Sequence, residues 1–156
     1  PLERAVSLRS SFFEGHYNIG LSLSSSPDFA RAVEPVREAV RLKPDSYEAQ
    51  SLLGLVLIQL GRDEEGIDPL RKAVDLRPED SRLMGLLGSK YLERHAYDQA
   101  RKILRKAVDL QPEVPQLRFL LIQAYRALGK QENAARESEI LDRRERSKQG
   151  EGRLSR

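Results

Sequence analysis

Apolar residues between Leu52 and Leu76 fall into two helical stripes with a polar break between them. Leu52, Leu53, Val56, Leu57 and Leu60 recur at intervals of three and four, Gly61-Arg62-Asp63 interrupts, and Ile67, Leu70, Ala73, Val74 and Leu76 resume the spacing. Two amphipathic helices joined by so short a connection make a helical hairpin. Gly61 suits the sharp turn, and Asp63-Glu64-Glu65 places negative charge at the start of the second helix, where the dipole favours it.

The hairpin is repeated along the chain. Pro69-Leu-Arg-Lys-Ala-Val-Asp-Leu-Arg-Pro78 reappears thirty-four residues later from Ile103 to Pro112 and thirty-four earlier from Pro35 to Pro44. A fixed period of this length marks a solenoid, in which each unit buries its apolar face only against its neighbours. The register divides the chain into a remnant at 1–12, repeats at 13–46, 47–80, 81–114 and 115–146, and a polar, basic tail at 147–156. Pro1 to Arg9 align with the second half of a unit, so the chain is expected to be an excerpt from a longer protein, beginning midway through a second helix. Pro44, Pro78 and Pro112 disfavour helix in the residue before them and so separate hairpins, whereas Pro35 and Pro69 fall inside second helices and are expected to bend them or loosen their first turns. Folding each hairpin sets Gly20 opposite Ala32, Gly54 opposite Gly66 and Gly88 opposite Ala100, small against small, which lets the two axes approach closely. The fourth breaks the pattern, with Ile122 opposite Ala134.

The period together with Ile19-Gly20, Leu53-Gly54, Leu87-Gly88, Tyr91, Tyr125, Ala32, Ala100 and the three boundary prolines resembles the tetratricopeptide repeat, from Pro1 to about Arg146. The frequent Trp of that repeat's first helix is replaced by His16, Gln50, Met84 and Arg118. The last repeat has Ser138 and Leu141 where the others place Val or Leu and then Ala, as in a capping unit. The resemblance implies an all-α, right-handed superhelix whose first helices line a concave groove for a protein or peptide partner. Carried over slot by slot, the groove takes Glu14, Tyr17, Leu21, Ser24, Glu48, Ser51, Leu55 and Ile58 from the first two repeats. The next two supply Arg82, Gly85, Ser89, Leu92, Gln116, Phe119, Gln123 and Arg126. Leu21, Leu55, Ile58, Leu92 and Phe119 are the expected anchors, with Arg82, Gln123 and Arg126 fixing polarity; the same leucines would otherwise serve only to pack neighbouring first helices. Some family members grip the C-terminal carboxylate of chaperones with Lys and Asn. The corresponding slots, Tyr17, Leu21, Leu52, Arg82 and Leu86, offer only Arg82, which argues against that role.

Composition narrows the alternatives. The 156 residues are of one-domain size, enough to bury roughly two-thirds of the unfolded surface, and contain no Cys and no Trp. The net charge of +3 resides wholly in the last fifteen residues, so the body is neutral and offers no stripe for tracking phosphates, against nucleic acid as main ligand. The longest apolar run, Leu52 to Ile58, is too short to span a membrane. No compartment is legible. His16 and His95 lack second ligands at metal spacing, Glu64-Glu65 share no pocket, and no glycine-rich phosphate loop is present, so no cofactor, metal or catalytic site is expected. Ser24 to Asp28 read as the first hairpin's turn, with Asp28 capping the next helix. Arg71-Lys72 and Arg105-Lys106 read as a solvated face. The tail is expected to extend the last helix to about Gln149, with Gly150 and Gly152 ending it.

Three functions fit: a non-catalytic binding scaffold, a structural spacer or self-associating segment that covers the half-repeat residues Leu2, Ala5 and Val6 with another copy, and a substrate-docking arm of an enzyme.

Overall fold

A computed structural model describes the backbone of residues 2–154 and the side chains of residues 8–148. It is helical throughout, and no strand occurs among the described residues. Two compact units follow one another, Pro1–Pro78 and Glu79–Arg156.

The first unit holds α1 (Leu2–Ser24), a 3₁₀ turn (Phe29–Ala32), α2 (Val33–Leu42), α3 (Tyr47–Gln59) and α4 (Asp63–Leu76). Its core joins Ala32, Val33 and Val36 to Leu53, Val56 and Leu57, so the second helix of one hairpin is covered by the first helix of the next. The second unit holds α5 (Ser81–Glu93), α6 (Tyr97–Leu110), α7 (Pro115–Ala127) and α8 (Gln131–Leu154), and α7 packs on both α5 and α6. Its buried centre includes Met84, Leu87, Leu104, Leu121 and Ile122, each contributing on the order of 1.5–3 kcal/mol when removed from water.

Helix starts follow the side chains available. Ser46 accepts from the Ala49 N–H at 3.1 Å, and Asp80 accepts from Arg82 and Leu83, both at 3.1 Å. Asp28 does not cap as expected. It stands at the N-terminus of the 3₁₀ turn without a capping bond, because its backbone is not extended, and its carboxylate instead faces Arg31 at 3.6 Å. Pro35 lies in the first turn of α2, which is preceded by the 3₁₀ segment, while α4 continues through Pro69.

The hairpin turns repeat with the period. Gly61 has φ 72° and Gly129 φ 71°, and the equivalent residue between them, His95, adopts the same left-handed conformation at φ 60°. Beyond each hairpin the sequence reading needs two adjustments. The boundary expected at residues 12 and 13 falls inside α1, which runs unbroken for 23 residues, because Ser10 stands where the later repeats have Pro44, Pro78 and Pro112. α8 likewise passes through Gly150 and Gly152 to Leu154; glycine in a helix costs about 1 kcal/mol but ends it only when left-handed backbone and a capping contact follow. The side chains of Leu2, Ala5 and Val6, and those of Glu151, Arg153 and Arg156 in the tail, lie outside the described residues.

Close helix approach rests on the glycines: the expected Gly54–Gly66 pair does face across the hairpin, a Cβ at Gly66 standing 3.1 Å from the Gly54 carbonyl oxygen, and a large side chain also fills each first-helix hollow. A Cβ at Gly54 would stand 2.6 Å from Leu70 Cγ, one at Gly88 2.5 Å from Leu104 Cγ, and one at Gly20 2.3 Å from Val36 Cγ2. The hollow is filled by a large residue one turn further along the second helix, since helical side chains lean toward their own N-terminus.

Candidate functional site

First helices expose one face in each unit. In Pro1–Pro78, α1 and α3 touch and present Leu21 and Leu55, equivalent residues one repeat apart, at 44% and 42% exposure. Tyr17 is half-buried and stacks on Phe13, with ring centroids 6.0 Å apart and planes at 10°. Its phenol is held above the ordinary value by burial and by the charge of Glu48. Ser51 turns its hydroxyl back to the Glu48 carbonyl at 3.1 Å, which leaves the surface between the two leucines without a competing polar group from that side chain. Ile58 is directed elsewhere: its Cδ1 lies 2.9 Å from where a Gly66 Cβ would stand, so it fills the α3–α4 contact.

The rim of this apolar face is charged and ordered. Glu48 bonds Arg77 at 3.0 Å and receives the Ser46 hydroxyl at 3.2 Å, and the Arg77 guanidinium lies 3.6 Å from the centroid of the Tyr47 ring. The Glu48 carboxyl is held below its ordinary value chiefly by its own backbone N–H, then by Ser46 and Arg77, with burial opposing. Glu14 and Glu48 are exposed and Ser24 half-buried, its hydroxyl bound to the Leu21 carbonyl at 2.7 Å.

In Glu79–Arg156 the corresponding face is more polar. Ser89 and Gln123 occupy the places of Leu21 and Leu55. Ser89 is 3.4 Å from Glu93, Leu92 is half-buried, and Arg82, Gln116, Gln123 and Arg126 are exposed. Phe119 is 53% exposed beside Pro115, Leu120 and Leu141. Gly85 is buried, since a Cβ there would stand 2.6 Å from Leu117 Cδ2.

One cluster escaped the sequence reading. Glu137, 6% exposed, receives both Arg118, 5% exposed, and Arg105. Arg118 also reaches the Pro112 carbonyl at 3.4 Å, and Arg105 bonds the Tyr125 hydroxyl at 3.2 Å. Arg105 is therefore not part of a solvated face, although Arg71, Lys72 and Lys106 are exposed. Burial acts against its charge, but Glu137 and Tyr125 outweigh that and hold its guanidinium above the ordinary value. The signal was available in the register: Arg118 stands where Met84 is buried, and Glu137 stands where the other second helices carry Pro35, Pro69 and Ile103. The cluster ties α6, α7 and α8 together, with both charges of the buried pair satisfied.

The tetratricopeptide repeat family model matches residues 3–81 and 86–139. The chain belongs to the tetratricopeptide repeat family. No curated protein sequence is significantly similar to it. Among solved structures, the tetratricopeptide chain is similar to the MamA RS-1 ArsTM double mutant, at 26% identity over 87% of this chain and 76% of that one, with a TM-score of 0.74. MamA 41-end from Desulfovibrio magneticus RS-1 matches at 27% identity over 86% of this chain and 76% of that one, with a TM-score of 0.72. MamA AMB-1, at 18% identity over 84% and 72% and a TM-score of 0.79, shares the fold. Membership accords with an all-α stack of tetratricopeptide hairpins and with a role in protein–protein interaction. Among the described residues no helix is long and apolar enough to cross a membrane, and no group of three or more His, Asp or Glu side chains is placed to hold a metal ion.

Proposed function

We propose that this tetratricopeptide chain is a non-catalytic scaffold that receives a peptide or helix of another protein on the exposed face of its first helices. The observation that carries the reading is the pair Leu21 and Leu55, which occupy equivalent places on two touching helices and are left 44% and 42% exposed by the surrounding packing. A preformed apolar pair beside an ordered carboxylate loses little entropy when a partner docks. Tyr17 and Ser51 flank the pair within the first unit; the second unit, taken by itself, offers Leu92 and Phe119 as apolar area and Arg82, Ser89, Gln123 and Arg126 as polar contacts. Ile58 contributes through the α3–α4 contact rather than as an anchor.

The test is affinity capture with the intact chain and with the Leu21→Asp/Leu55→Asp variant, followed by titration of each purified partner. Both sites are exposed, so helix content should be unchanged while partner affinity falls at least tenfold. Equal binding by the folded double variant overturns the assignment of this face.

A further inference from the structure

In the first unit the face of α1 and α3 is a ladder of equivalent residues one repeat apart: Glu14 with Glu48, Tyr17 with Ser51, Leu21 with Leu55, and Ser24 with Ile58. Leu55 is as open as Leu21 although α1 and α2 both pack on its helix, so repeat stacking does not cover this column. Most polar atoms of the ladder are already committed. Ser24 gives its hydroxyl proton to the Leu21 carbonyl at 2.7 Å, and Ser51 gives its own to the Glu48 carbonyl at 3.1 Å. Arg77 takes one oxygen of Glu48 at 3.0 Å and the Ser46 hydroxyl takes the other at 3.2 Å. Asn18 is exposed, but its equivalent Leu52 packs on the α2–α3 core, which puts that column on the stacking side of the helix.

This inventory separates two kinds of occupant. An extended segment laid along the leucines brings a backbone carbonyl about every 3.3 Å, and between the exposed Glu14 at one end and the exposed Gln59 at the other only the Tyr17 hydroxyl can donate to it. Each carbonyl buried there without a donor costs roughly tenfold in affinity. A helix arrives with its carbonyls already bonded along its own axis. The second unit, taken by itself, differs, because Arg82, Gln116, Gln123 and Arg126 are exposed donors on its first helices.

Charge narrows the occupant further. α1 from Ser10 to Ser24 carries Glu14 and no Lys or Arg, and α3 carries Glu48 and none. The cations that follow the second helices, Lys43 and Arg77, stand over the rings of Phe13 and Tyr47 at 5.5 and 3.6 Å. With Glu48 held by Arg77, the carboxylate left to a partner is Glu14, which makes no ion pair among the described residues and stands two helical turns, roughly 10 Å, from Leu21.

Resting on the partner-binding reading above, we infer that the occupant of this face is an amphipathic α-helix of another protein, which seats two apolar side chains one turn apart on Leu21 and Leu55 and sets a Lys or Arg two turns away against Glu14.

The test is fluorescence anisotropy with three labelled synthetic peptides of about eighteen residues. The first is a stapled helix with two leucines four apart and a lysine seven residues before them. The second carries the same side chains at alternate positions of a proline-spaced, extended backbone, and the third is the stapled helix with Glu in place of Lys. The first should bind the intact chain at least tenfold more tightly than the second, and Leu21→Asp/Leu55→Asp should remove that advantage. Glu14→Lys, at an exposed site, should weaken the first roughly threefold and strengthen the third. Circular dichroism confirms that each variant is helical. An extended peptide that binds as tightly as the helix, and loses affinity in the leucine variant, overturns the helical occupant but leaves the face. Helix binding that ignores the leucine variant overturns both readings. Glu14→Lys acting alike on the first and third peptides, or no binding by any of the three, overturns the inference.

Discussion

Replacing Glu137 with Ile should be among the most destabilising single changes in the second unit, and adding Arg118→Met should reverse it. Glu137 is the only acceptor among the described residues that compensates the charge of Arg118, whose side chain is 6% exposed. Its loss leaves that largely buried guanidinium without a countercharge, holding only the Pro112 carbonyl at 3.4 Å, and breaking a buried pair in this way costs about 3–5 kcal/mol. For a chain of this length 1 kcal/mol moves the midpoint by roughly 2–4 °C, so a fall of about 6–20 °C is expected. Arg118→Met alone is milder. Glu137 then keeps Arg105, whose side chain is 34% exposed, and the loss of one charge-assisted hydrogen bond, about 1.5–3 kcal/mol, is partly offset by burying a thioether.

The double variant, Arg118→Met/Glu137→Ile, reproduces the third hairpin, where Met84 and Ile103 stand at the same places. Apolar replacement of a whole buried pair is commonly neutral or stabilising by about 1–4 kcal/mol. Arg105 then turns to Asp109, already 3.5 Å away, and to water. Thermal unfolding followed by circular dichroism gives the midpoints, and hydrogen exchange in α8 assigns the change to the last hairpin, because repeat contacts are made only between neighbours. A neutral Glu137→Ile, or a double variant as unstable as that single change, would refute the claim that the charge is buried and paired.

His95 adopts φ 60° where its two counterparts are glycine, so His95→Gly should stabilise by about 0.5–1 kcal/mol, raising the midpoint by roughly 1–4 °C despite the loss of the 2.5 Å contact with the exposed Tyr97 hydroxyl; a lowered midpoint would show that the His95–Tyr97 contact outweighs the backbone strain. Glu48 has a folded-state pKa below its ordinary 4.5, so its contribution is complete above that value and is lost as pH falls through the lower folded one. Glu48→Gln should therefore narrow the difference in unfolding midpoint between pH 7 and pH 3, and an unchanged difference would mean that Arg77 and the α3 N-terminus do not favour the charged form.

The repeat was legible because its signals are local and multiplied: a stripe at helical spacing and a boundary proline, each seen three or more times, and a turn glycine seen twice. What escaped were features in which a position departs from its own column. Ser10 lacks the proline of Pro44, Pro78 and Pro112, and that absence lets α1 run on. Arg118 and Glu137 belong to residue types expected at the surface, and only their register, in columns otherwise buried or apolar, places them together inside. The proposed partner-binding face was legible only as a list of slots. Whether Leu55 stays exposed or Ile58 turns onto Gly66 depends on side-chain direction, which spacing does not specify.

The glycine column shows why reading one column at a time fails at the last repeat. Gly20, Gly54 and Gly88 each accept a large residue, Val36, Leu70 or Leu104, from the facing helix. In the fourth hairpin Ile122 stands in the glycine's place and Ser138 in the place of the large residue. Taken singly, both look like lost signature residues. Taken as a pair they exchange sizes across the same junction, which is the kind of change a close-packed interior tolerates best, and Ile122 is accordingly 3% exposed. What such an interior constrains is therefore the combined volume of two facing columns, so a repeat that has lost both signature residues at one junction keeps the hairpin, provided the losses compensate each other.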